Sequence, residues 1–164
     1  MKLSVVAEIV PFRAALRELA GGVAVITVGR DQYIDGFTAT SVSSLSAQPP
    51  RLVVCINQAS ASWAAMRRHP HFAVNILRDA DEWLADRFGG RDSLEGAERY
   101  RGVSWTPSPS GTPQLDTALA CLDCDVEESL PRYDHVIVVG NVRAAVIRAE
   151  SLPLVYWQGK YHSL

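Results

Sequence analysis

Gly36–Pro50, GFTATSVSSLSAQPP, is the stretch from which the rest of the chain is read. It sets six hydroxyl side chains, Thr38, Thr40, Ser41, Ser43, Ser44 and Ser46, among small residues and stops at a double proline. Two readings follow from residue types alone. One is a Ser/Thr-rich strand and turn of an all-β domain, the commoner use of such residues. The other is a wall for a flat aromatic ligand: small side chains let a ring lie against the backbone, while N–H groups and hydroxyls bond its rim heteroatoms.

On the N-terminal side, Val23 to Val28 is a β-branched apolar run, and GRDQYIDG between it and Gly36 reads as a turn, so the two segments form a hairpin. Before it, Phe12, Ala15, Leu16, Leu19 and Ala20 fall at helical spacing, and Gly21-Gly22 ends a short amphipathic helix. On the C-terminal side, Leu52 to Ile56 is a buried-type strand that delivers the chain to Asn57. Ser60 to His69 reads as a helix, with Ser60 or Ser62 as N-cap and Pro70 as its end. Its first turn offers free N–H groups and hydroxyls, which is either plain capping or an anion site.

Phe72 to Leu77 reads as a strand interrupted by Asn75, and Asp79 or Asp81 caps a helix through Trp83, Leu84, Arg87 and Phe88. Gly89 to about Thr117 is rich in Gly, Ser, Pro and charge, with a weak helical cue at 94–100; connections of that length are functional loops or arms over a partner. Ala118 to Glu127 alternates as a strand with one mostly apolar face, and Glu128 to Asp134 is a polar turn. His135 to Val139 and Val142 to Ile147 flank Gly140 as one strand or two neighbours, and the segment from Leu154 to Tyr161 forms a last hairpin. Many short strands and few helices predict a mainly β fold, a β-barrel with peripheral α-helices, in a single domain over residues 1–164.

A chain of 164 residues with a formal charge of −2 and a pI near 6.1 lacks the basic excess that nucleic-acid binding requires. Glu8, Pro11 and Arg13 interrupt the N-terminal apolar residues, and no apolar run reaches membrane-spanning length, so a cytoplasmic protein is expected. The odd set Cys55, Cys121 and Cys124 agrees with a reducing compartment.

Several chemistries find no support. No G-x-G-x-x-G, G-x-x-x-x-G-K-[ST], G-x-S-x-G or H-E-x-x-H occurs. Cys121-Leu-Asp-Cys124 is a C-x-x-C within a strand, where its sulfurs point to opposite faces, and no second pair completes a zinc site. His69-Pro-His71 lacks a third ligand nearby, so no metal is expected. Asp134-His135 is either an oriented imidazole or a solvated turn pair.

Eight segments in register resemble the flavin reductase family of two-component flavin monooxygenases: GGVAVITV, GFTATSVSSLSAQPP with RLVVCIN, Ser60-x-Ser62, HFAVNIL, Arg87-Phe88, TPQLDTALACLDC, DHVIVVGNV and PLVYWQGKY. The resemblance runs from about Phe12 to the C-terminus. It implies an FMN-binding split β-barrel of Greek-key type, normally a homodimer. The implied activity is hydride transfer from NADH or NADPH to FMN or FAD, with reduced flavin diffusing to a partner monooxygenase. Carried over by position, Thr38, Ala39, Thr40, Ser41 and Val42 line the isoalloxazine ring, Asn57, Ser60 and Ser62 meet the ribityl chain and phosphate, and Arg87 and Phe88 add flavin contacts. Asp134 and His135 match the family's G-D-H motif beside the nicotinamide, with Tyr133 in place of the glycine; no residue is assigned covalent catalysis. The competing reading is a flavin- or haem-binding barrel that is not a reductase, such as a sensor or electron-transfer module.

Overall fold

The computed structural model describes residues 9–148 and 150–164; the reading of the chain before Ile9 lies outside the described residues. The strands are β1 (Gly21–Gly22), β2 (Ala24–Val28), β3 (Asp35–Ala39), β4 (Ser43–Ala47), β5 (Pro50–Asn57), β6 (His71–Ile76), β7 (Trp105–Pro107), β8 (Pro113–Leu115), β9 (Ala120–Arg132), β10 (His135–Ile147), β11 (Leu154–Trp157) and β12 (Lys160–Ser163). Among the described residues three α-helices, α1 (Ile9–Arg17), α2 (Ala61–Arg68) and α3 (Glu82–Phe88), accompany them.

Seven strands form one antiparallel sheet in the order β3-β2-β6-β9-β10-β5-β4. The stretch read as one polar-small strand from Gly36 is therefore two strands at the opposite edges of that sheet, joined only by Thr40, Ser41 and Val42. A flat sheet would separate its edge strands by six spacings of about 4.8 Å, roughly 29 Å. Ala39 to Ser43 is four Cα steps, which reach at most about 15 Å. The sheet must curl until its edges approach. Ser41 pins the junction: its Oγ accepts from Cys55 N (3.2 Å) and donates to Cys55 O (3.3 Å), in line with the Ser43↔Val53 pairing.

Two apolar clusters fill the fold. One joins Ile26, Val54, Ile56, Phe72, Val74, Cys124 and Val138 inside the curl, with Met66 of α2 plugging it. The other packs Val23, Val25, Leu77, Leu84, Phe88, Tyr100, Leu115 and Cys121 on the outer side. Cys121 and Cys124 thus fall in different clusters, as opposite strand faces require, and burial pushes both thiols up, Cys124 to about 12. Between the clusters, Asn75 makes a four-way polar node: its amide donates to Val25 O and Thr27 Oγ1, and its Oδ1 accepts from Leu115 N and Cys121 Sγ.

Other expectations need correction. The segment 89–117 is not an arm: it folds back as a 3-10 turn (Gly96–Tyr100) and the β7–β8 hairpin, and buries Tyr100 and Leu115 in its own core. The turn expected at 128–134 is strand up to Arg132, because each residue from Glu128 to Arg132 has a partner on β10; only Tyr133 and Asp134 turn. Gly140 marks an irregularity in a continuous β10 rather than its end. Neither Asp79 nor Asp81 caps α3 with its side chain; Asp81 instead accepts from Arg78 and Thr117. The closing hairpin forms as expected, with Gln158 and Gly159 at φ 49° and 80°, the left-handed pair of a tight two-residue turn.

Candidate functional site: a cleft along the sheet junction

A cavity of about 320 Å³ opens beside the junction, lined by Phe37, Thr38, Ala39, Thr40, Ser41, Cys55, Asn57 and His135. Thr38 and Thr40 also line a second hollow of about 200 Å³ with Gly89, Arg91, Tyr156 and Tyr161. As an edge strand, β3 leaves a row of N–H and C=O groups without a strand partner, and its small side chains leave that backbone within reach of a ligand. Small size matters on the other side as well. A Cβ at Gly36 would come within 2.7 Å of Ile26 O and 2.9 Å of Phe88, so only glycine lets β3 lie this close to its neighbours.

The hydroxyls are not all free for a ligand. Thr38 Oγ1 donates to Ala85 O at 2.6 Å and Ser41 Oγ is committed to Cys55, whereas Thr40 is exposed and its hydroxyl has no partner among the described residues. The donors that β3 and the junction offer are therefore chiefly backbone N–H groups. Val42 lies on the other side of the junction, facing a groove beside α1.

Asn57 ends β5 directly opposite His135 on β10. Its Oδ1 accepts from Ala59 N at 2.8 Å, a local turn that feeds α2. Ser60 is the N-cap, its Oγ accepting from Trp63 N (3.1 Å) and donating to Asn57 O (2.8 Å). Ser62 is buried in the first turn. Among the described residues the N–H groups of Ala61 and Ser62 have no partner, so capping leaves part of the helix terminus open.

His135 Nδ1 lies 2.9 Å from Asp134 Oδ1 with both side chains exposed, so the sequence pair is a solvated turn pair whose hydrogen bond orients the imidazole. The hydrogen bond from His135, and then one from its own backbone N–H, hold the Asp134 carboxyl below its usual range; an ionised carboxylate only accepts, which puts a proton on Nδ1. Nε2 is left for a ligand. Tyr133 adopts φ 55°, the left-handed region, and is 99% exposed. The first position of a two-residue hairpin loop demands that conformation, which accounts for glycine in the motif this turn resembles.

Arg87 and Phe88 do not line the cleft. Phe88 is 2% exposed, sealed beneath Gly36, Tyr100 and Trp105. Arg87 donates to Arg101 O, faces Asp92 at 3.5 Å and lies over the Trp83 ring. Sequence reasoning missed Phe37, Cys55 and Arg91 and gave Tyr161 no role. Strand parity with Asn57 would have found Cys55, but nothing local marks Arg91, whose guanidinium faces Asp86 at 2.9 Å and sits over Tyr161. Burial first, then Asp86, pushes the Tyr161 hydroxyl up.

Residues 16–164 match the family model described as a flavin reductase like domain, and the chain belongs to that family. It is 35% identical over 150 residues to the reductase subunit HsaB of a flavin-dependent monooxygenase from Rhodococcus jostii, covering 92% of this chain and 75% of the relative. It is 32% identical over 153 residues to the FMN reductase (NADH) RutF of Cronobacter sakazakii, covering 93% and 91%. Among solved structures, the NADH:FAD oxidoreductase SgcE6 of Streptomyces globisporus superposes with a TM-score of 0.88 at 26% identity, over 100% of this chain and 98% of the other.

Proposed function

We propose that the protein is an NAD(P)H-dependent flavin reductase, a single domain over residues 1–164, which reduces FMN or FAD in the cytoplasm and releases it to a partner flavin-dependent monooxygenase. The observation that carries the reading is one cavity lined by the exposed edge of β3, by Asn57 three residues before the N-cap of α2, and by His135, whose ring is hydrogen-bonded to Asp134. Family membership and the named activities of HsaB and RutF support it. The curl of the seven-stranded sheet supports the split-barrel form of the fold.

Hydride transfer from nicotinamide C4 to flavin N5 is chemistry that the two ligands carry themselves. The chain supplies position and charge. Backbone N–H groups of Thr38–Val42 donate to the pyrimidine rim of the isoalloxazine ring, where negative charge arrives during the reaction. Asn57 meets the ribityl chain, and the Ala61 and Ser62 N–H groups with the Ser60–Ser62 turn hold the phosphate at the positive end of α2. His135, its tautomer set by Asp134, holds the nicotinamide carboxamide through Nε2 so that the ring stacks within attack distance. The enzyme works as a homodimer, formed over the apolar face of α1.

The test is oxidation of NADH and NADPH by the purified protein with and without added FMN, FAD or riboflavin, after recording its visible spectrum. Turnover that requires added flavin is expected. A tightly bound chromophore with no turnover of either nucleotide would replace the reductase by an electron-transfer or sensory protein.

A further inference from the structure

The turn that carries His135 is tied down by one residue outside the cleft lining. Gln58 donates its backbone N–H to Asp134 O at 3.0 Å, and its side-chain Nε2 donates to Tyr133 O at 2.8 Å and to His135 O at 3.1 Å. Three successive carbonyls of one turn are satisfied from a single position on the neighbouring loop. The orientation of the carboxamide follows from its partners, since only the NH₂ end can serve two carbonyl oxygens.

The turn closes the β9–β10 hairpin at the Arg132↔His135 pair, and His135 also pairs with Asn57 of β5, but Tyr133 and Asp134 themselves lie outside both ladders. Tyr133 is fully exposed in a left-handed conformation that a side chain resists, and Asp134 is exposed too. Backbone of that kind persists only where its surroundings over-determine it. Gln58 adds its three bonds to the constraints of the hairpin, and the nearby Asn57 and Ser60 belong to the proposed ribityl and phosphate side of the cleft.

We infer that Gln58 is a positioning residue for the reductant: it locks the 133–135 turn to the Asn57–Ser60 loop and so holds His135 at the rim of the flavin cavity. This rests on the nicotinamide role proposed above for His135. Gln58 acts through that side chain and not by touching either ligand.

Steady-state kinetics with NADH and FMN test it in Gln58→Ala, Gln58→Glu, His135→Ala and the Gln58→Ala/His135→Ala double variant. Gln58→Glu keeps the side chain's size and removes its donors. Each Gln58 variant is expected to raise the KM for NADH about tenfold, the scale of losing one or two hydrogen bonds, with the KM for FMN and kcat within about twofold of the parent. In the His135→Ala background, Gln58→Ala should add nothing further. A purely structural role would instead lower the melting temperature and affect both substrates alike. The inference is overturned if the Gln58 variants leave the NADH KM unchanged while His135→Ala raises it, or if the losses add in the double variant. An unchanged NADH KM in His135→Ala would refute the His135 assignment itself, and this inference with it.

Discussion

At Tyr133, one side chain occupies a backbone conformation made for glycine. A left-handed residue with a Cβ costs about 1–2 kcal/mol, and a side chain 99% exposed returns almost no packing. Glycine would remove that cost while adding about 0.5–1 kcal/mol of unfolded-state freedom. Tyr133→Gly is therefore expected to raise stability by about 0.5–1 kcal/mol in urea unfolding, with NADH turnover little changed. A loss of stability would show that the tyrosine ring makes contacts that the exposed turn conceals. The identity of Asp134-His135 as a pair was legible from adjacency, but the reason for its rigidity was not, because Gln58 is 75 or more positions away in the chain.

At the level of elements, α2 has a structural duty and, in the proposed function, a binding one. Ser60 caps the helix, so its replacement by alanine costs about 1 kcal/mol irrespective of any ligand. The phosphate role is separable from that. A Ser60→Ala/Ser62→Ala variant is expected to lose at least tenfold in affinity for FMN and much less for riboflavin, which has no phosphate, as read by fluorescence titration. Equal losses for the two flavins would leave the serines as capping residues only. The helix and its cap were legible from sequence because both are local: a serine at the N-cap and a proline just past the end. The split of Gly36–Pro50 into β3 and β4 was not, since no turn residue marks Thr40–Val42; the strand breaks there because its first half pairs back to β2 and its second half forward to β5, at opposite edges of the sheet.

Over the whole molecule, α1 stands out because none of its residues is buried. Val10, Leu16 and Leu19 line a groove of about 980 Å³ together with Val42, Gly21, Gly22 and Tyr156. Phe12, at 54% exposure, extends the apolar surface. An amphipathic helix gains its stability by covering its apolar face, and the proposed second copy would do so here, beside the junction that walls the flavin cleft. Light scattering on the eluting protein is expected to give twice the 17.9 kDa chain mass. Leu16→Asp/Leu19→Asp should reduce it to one. A monomeric parent protein would remove the homodimer.

Local periodicity and capping determined most elements: the β2–β3 hairpin, β5, α2, β6, α3 and the final hairpin appear where their patterns stand. Such signals act within a few residues and survive in one dimension. The assembly of the cleft was decided in space. Thr38–Ser41, Asn57 and His135 meet because a short junction forces the sheet to curl and because β5 and β10 pair in one register. The same distance-blind limit hid the surroundings of Arg87 and Phe88: apolar and basic residues at the end of a helix look alike whether they face a ligand or a core, and Phe88 packs against Gly36, Tyr100 and Trp105 once the chain folds.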